Sequence, residues 1–246
     1  MRDPAILPAE PARKDVSRYA FVHGVRSTGQ TLRVWRANPW PALGRWFAGA
    51  LAIAVCLLLA VWAVAGASDA NGLNVQTSSP PFVVGNAANV FSIFEKNLLV
   101  LAFHAMACVA GFIAGASLPL QAEHKSGWQR AIHERGGRIA IIFVIAATTF
   151  SLSAQALVIG AEAAAVAARL QTTTGALLLV LLPHALIELT ALFLPLAAWI
   201  IASRRGEWDQ LLAATLVTVL IALPMLLAAA FIEVYLSPHV LQALIH

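Results

Sequence analysis

Charge is scarce in this chain. Lys and Arg number 16 and Asp and Glu 12, together 11% of 246 residues, against about 25% in soluble globular domains. A water-soluble fold of this length covers its surface with charge, so the shortage excludes a soluble enzyme of average type. An apolar content of 60% excludes an intrinsically disordered chain as well. Cysteine is nearly absent. Cys56 and Cys108 both lie inside apolar runs, where they read as small hydrophobes rather than as a redox or metal pair. Catalytic signatures are missing too, with no Gly-x-Ser-x-Gly elbow, Walker loop, dinucleotide fingerprint or His-Glu-x-x-His in the sequence, so the residues imply no cofactor.

What is present is long apolar runs. A hydrocarbon core about 30 Å thick needs about 20 apolar residues at 1.5 Å each. Five stretches meet that length, at about 46–65, 98–118, 139–159, 175–202 and 211–236. Each is apolar all round, as a helix among lipid and other helices has to be. The expected fold is therefore all-α, a polytopic transmembrane helical bundle of five spans.

The pI near 9.6 comes from basic residues that flank these spans. Anionic headgroups and topology explain that placement, so lipid and other membrane proteins are the expected partners, and nucleic acid is not. Fourteen Lys and Arg lie in the N-terminal segment and in the second-to-third and fourth-to-fifth connections; only Lys96 and Arg169 lie in the others. This asymmetry predicts a cytoplasmic N-terminus and an external C-terminus. Ala65-Gly66-Ala67 has the small-x-small form of a signal-peptide cleavage site. The polar stretch before the first span and the span itself are both too long for a signal peptide, so a retained signal anchor is expected.

Residues 1–45 form a basic cytoplasmic segment bounded by prolines. Val16 to Trp35 mixes apolar residues with arginines and has two open readings, an amphipathic element on the inner leaflet or a disordered basic arm. Ser68 to Ser92, rich in Asn, Ser, Gly and Pro, reads as loop, and Gly160 to Gln171 as a short separate helix at the outer surface.

Ionisable groups in hydrocarbon are costly and mark a partner or a purpose. His184 and Glu188 stand four apart on one face of the fourth span, between Pro183 and Pro195. The second span opens on Glu95 and Asn97 and carries His104 two turns deeper; the fifth carries Pro224 and Glu233. With the second and fourth spans entering from outside, both histidines fall about 10–14 Å below the outer boundary. Three readings are open. These residues bind helices together, His184 and Glu188 pairing with each other or with Asn97 and His104; or they line a pocket or proton path; or His184, Glu188 and His104 hold a metal. The third span adds Thr148, Thr149, Ser151 and Gln155 as interhelical hydrogen-bonding groups. Gly111-x-x-x-Gly115 allows close helix contact, within the bundle or between copies in a homo-oligomer.

Three segments together resemble the stage II sporulation protein M family. They are Phe94-Glu95-Lys96-Asn97-Leu98, the Leu182–Ala191 stretch containing Pro183-His184 and Glu188, and the Ala229–Pro238 stretch containing Glu233, Tyr235 and Ser237-Pro238. The second is similar to the family's Pro-His-Gly-x-x-Glu signature, with Ala185 in place of the glycine. The resemblance spans about residues 90–240 and carries over Asn97, Pro183, His184, Glu188 and Glu233. It implies a multi-pass protein of a bacterial or archaeal cytoplasmic membrane that works in a complex, as the family's namesake does beside cell-wall hydrolases. The expected function is a non-enzymatic membrane subunit, in envelope remodelling or a related task. The alternative is a permease-like component served by a separate ATPase.

Overall fold

A computed structural model describes residues 16–70, 85–118, 126–128 and 135–245. Among them every regular element is helical. Helix α1 covers Val16–Ala37, α2 Trp40–Ala70 and α3 Ala87–Phe112, the last running into a π turn at Ile113–Ser117. Helix α4 covers Gly136–Arg169 and α5 Thr174–Arg205; after a 3-10 turn at Trp208–Gln210 come α6, Leu211–Phe231, a second π turn at Ile232–Leu236, and α7, Ser237–Ile245. Among the described residues five helical stretches are long and apolar enough to cross a membrane. The chain is a multi-pass membrane protein.

The spans lie where the apolar runs predict, but their ends extend outward. Asn86 caps α3 by accepting a hydrogen bond from the Ala88 N–H, and Thr173 caps α5 by accepting one from Ala176. Starting α3 at Ala87 makes the end of the expected Ser68–Ser92 loop helical and carries Glu95 and Asn97 more than two turns into the helix. The remainder of that loop, residues 71–84, lies outside the described residues. Gly160–Arg169 is no separate surface helix. It continues α4, because Ala163, Ala164, Ala165 and Ala167 are buried against neighbouring helices. Gly160 lets α2 come close, since a Cβ there would lie 2.7 Å from the Val64 Cβ. The Val16–Trp35 segment is helical, and Gly24 and Ser27 of α1 approach Phe112 and the Asp209 carbonyl at the arginine-bearing end of the bundle.

Lipid tails are as apolar as leucine, so close van der Waals contact between helices, rather than escape from water, drives this packing. α2 buries one stripe, Ala50, Ala54, Leu57, Val61 and Ala65, at helical spacing. That stripe packs on α5, whose residues 190–199 are all buried, so α5 is the central helix. Over their most apolar windows α5 is 44% buried and α4 only 6%. Helix α4 is the peripheral span. The Gly111-x-x-x-Gly115 ridge is used inside the bundle. A Cβ on Gly111 would strike the Trp199 indole, and one on Gly115 the Trp208 indole. Pro183 and Pro195 both sit within the unbroken helix α5.

Candidate functional site

Helices α3 and α5 start at the same end of the bundle and run parallel, giving a constant register of contacts. Asn97 lies close enough to the Glu188 carboxyl to act on it. One step deeper, the His104 ring stands edge-on to Phe193, with centroids 5.6 Å apart at 69°. Next the Cys108 thiol donates to the Pro195 carbonyl at 3.1 Å, and then Gly111 meets Trp199. α6 runs antiparallel to both and brings its C-terminal π turn to the Asn97–Glu188 level. There the Glu233 carboxyl acts electrostatically on Glu188, and Lys96 acts on Glu233.

The π turn has a cause in the sequence. Pro238 has no N–H and its ring crowds the preceding turn. The backbone N–H of Ser237 bonds back to the Ile232 carbonyl, closing the wider turn, and the Ser237 hydroxyl donates to the same carbonyl at 3.3 Å. His184 Nδ1 lies 3.0 Å from that hydroxyl. With the hydroxyl proton directed to Ile232, the oxygen is free to accept, so His184 is placed to donate from Nδ1–H. Both residues are buried.

The expected residues divide by partner. Asn97, Glu188 and Glu233 meet at one level, with Lys96 beside them. His184 is bonded to Ser237, with neither Glu188 nor His104 as a hydrogen-bond partner. His104 is not level with His184. Its neighbour Phe193 is nine residues further along α5, about 13 Å in axial distance. The difference follows from the earlier start of α3. His104 Nδ1 is buried with no hydrogen-bond partner among the described residues. Glu95 and Pro183 are exposed on the outside of their helices. No group of three or more His, Cys, Asp and Glu side chains among the described residues is placed to share a metal ion. An apolar groove of about 520 Å³ lies elsewhere, between α2 and α5, lined by Leu59, Trp62 and Leu179 among others.

Ser237 and Cys108 are the two polar contributors that the residue-by-residue reading passes over. Ser237 had a signal in its neighbour, since a hydroxyl beside an intrahelical proline supplies the bond that proline cannot. Cys108 had none, because its acceptor belongs to another helix.

Comparison with known families matches residues 136–238 to the family described as Stage II sporulation protein M. The match takes in α4, α5, α6 and the π turn, and with them His184, Glu188, Glu233 and Ser237; Asn97 lies ahead of it. Comparison with curated proteins and with solved structures gives no match. Residues 136–238, which hold two of the three motif segments, are thus similar to the stage II sporulation protein M family.

Proposed function

We propose that this protein is a non-catalytic membrane subunit that docks other membrane proteins through α4, with its arginine-bearing end in the cytoplasm and its C-terminus outside. The observation that carries this reading is the face of α4. Only 6% of its apolar window is buried, yet near mid-helix it carries Thr149, Ser151 and Ser153 exposed and Gln155 half-buried. The Gln155 amide donates to Ser151 Oγ at 3.0 Å. That bond leaves the second amide N–H and the carbonyl oxygen of Gln155 with capacity that lipid tails cannot fill. A polar-bearing helix of a partner can fill it, and interhelical hydrogen bonds of this kind contribute about 0.5–2 kcal/mol each. Polar groups elsewhere in the bundle have partners inside it, as His184 has in Ser237 and Cys108 in the Pro195 carbonyl. The family's role in membrane complexes agrees with this division, and envelope remodelling is the process it suggests.

The test is gentle-detergent purification with mass spectrometry of co-purifying membrane proteins. Wild type should recover a defined partner, and Ser151→Ala with Gln155→Leu should lose most of it at unchanged yield. Equal recovery by the variant would end the α4 assignment. A second reading, a permease-like component, is favoured by Glu188 of α5 and Glu233 of the π turn lying within electrostatic reach of each other. It requires Glu188→Gln to abolish flux while sparing expression.

A further inference from the structure

At the arginine-bearing end, two cavities of opposite character share a wall. One, of about 160 Å³, is lined by Arg45, Arg205, Glu207 and Gln210. The other, of about 230 Å³, is mostly apolar and is lined by Leu32, Leu43 and Val217, with Arg36 as its one charged residue. Trp35, Ala42 and Trp46 line both. The two indoles of that wall pack edge to face, with centroids 4.9 Å apart at 82°. Arg45 stands near the start of the first span and Arg205 ends the fourth, so the pair of cavities sits at the depth of a membrane–water boundary, where indoles concentrate.

We propose that these cavities together bind one phospholipid, the headgroup between Arg45 and Arg205 and the start of an acyl chain against Leu43 and Val217. Two guanidiniums from different helices match the oxygens of a phosphodiester, which they can grip through paired N–H groups. Both residues are exposed while lining the cavity, and among the described residues neither is engaged in an ion pair. Glu207 would repel a bare phosphate but accepts hydrogen bonds from a headgroup that carries donors beyond the phosphate. Gln210 can do the same. This favours glycerol headgroups over choline, which has no donor. The apolar neighbour across the indole wall is what separates a lipid site from a site for free phosphate. A bound lipid would tie α1, α2 and the α5–α6 connection together, since all of them contribute to the lining.

Native mass spectrometry of the delipidated full-length protein, titrated with dioleoyl phosphatidylglycerol or the matching phosphatidylcholine, tests the site. Wild type should retain one phosphatidylglycerol at least about fivefold more strongly than phosphatidylcholine, and Arg45→Gln with Arg205→Gln should remove that preference. Arg33→Gln with Arg204→Gln takes the same charge from the same end outside the cavities and should change retention less than about twofold. Equal loss in both pairs would overturn the proposal in favour of diffuse attraction. Leu43→Trp, which fills the apolar cavity, should weaken retention while both arginines are kept; unchanged retention would remove the acyl half. Millimolar inorganic phosphate or glycerophosphoglycerol should leave the lipid bound, and displacement by either would assign the site to a free phosphate compound instead. Where the glutamine pair fails to fold, Arg45→Lys with Arg205→Lys keeps the charge but loses the forked geometry. Retention between wild type and background supports the site, and wild-type retention overturns it.

Discussion

At Gly111 a hydrogen is the largest substituent that the Trp199 indole permits. A methyl group there must push a buried tryptophan out of a packed seat, and overpacking of this kind costs about 1–3 kcal/mol. Gly111→Ala should therefore lower the thermal unfolding midpoint in detergent. Gly44→Ala, where a Cβ meets nothing within 4 Å, should leave it unchanged or raise it slightly. His184 and Ser237 are joined across two elements. Their bond is buried and joins α5 to the π turn, so a double-mutant cycle with His184→Phe and Ser237→Ala should give a coupling of about 0.5–2 kcal/mol. A coupling near zero would mean that the contact holds nothing. The sequence marked His184 as needing a partner because an imidazole in hydrocarbon always does. It could not supply the partner, since two residues 53 apart meet only through the rotation of two helices and the extra residue of a π turn.

Among elements, the π turn is the one that aims a side chain. An added residue in a helix turns everything beyond it by about 100°, so the wide turn sets the direction of Glu233 relative to Ser237. Pro238→Ala restores an N–H and removes the ring, allowing the turn to tighten and Glu233 to swing away from Glu188. In a Cys56→Ala background, Glu233→Cys should then react faster with a membrane-permeant maleimide when Pro238→Ala is added. An unchanged rate would show that proline is not what holds the turn. The five spans themselves were legible because hydropathy needs no knowledge of neighbours. Their ends were less so. Glu95 and Lys96 read as charges at a boundary, but the Asn86 cap lies well ahead of them, and both are exposed residues within α3. Gly160 to Gln171 read as a short helix at the outer surface because its alanines favour helix and it follows an apolar run already long enough to span. Its alanines decided otherwise by packing against α2, α5 and α7.

For the whole molecule, parallel α3 and α5 with antiparallel α6 between them account for the polar level at Asn97, Glu188 and Glu233. The order of spans made that arrangement available to the sequence, and the offset between α3 and α5 did not follow from it, which is why His104 was placed too shallow. The distribution of Lys and Arg predicts that a cysteine added after His246 is labelled by an impermeant thiol reagent applied from outside, and that one placed before Val16 is not. The opposite pattern would invert the bundle. At 34 residues α4 measures about 51 Å, and even a tilt of about 40° leaves it some 39 Å tall, well beyond a hydrocarbon slab of about 30 Å. Its alanine-rich tip, braced by Leu177 and Leu241, must stand clear of the tails as a short rigid post. Such a post holds the outer end of α4 at a fixed height above the tails.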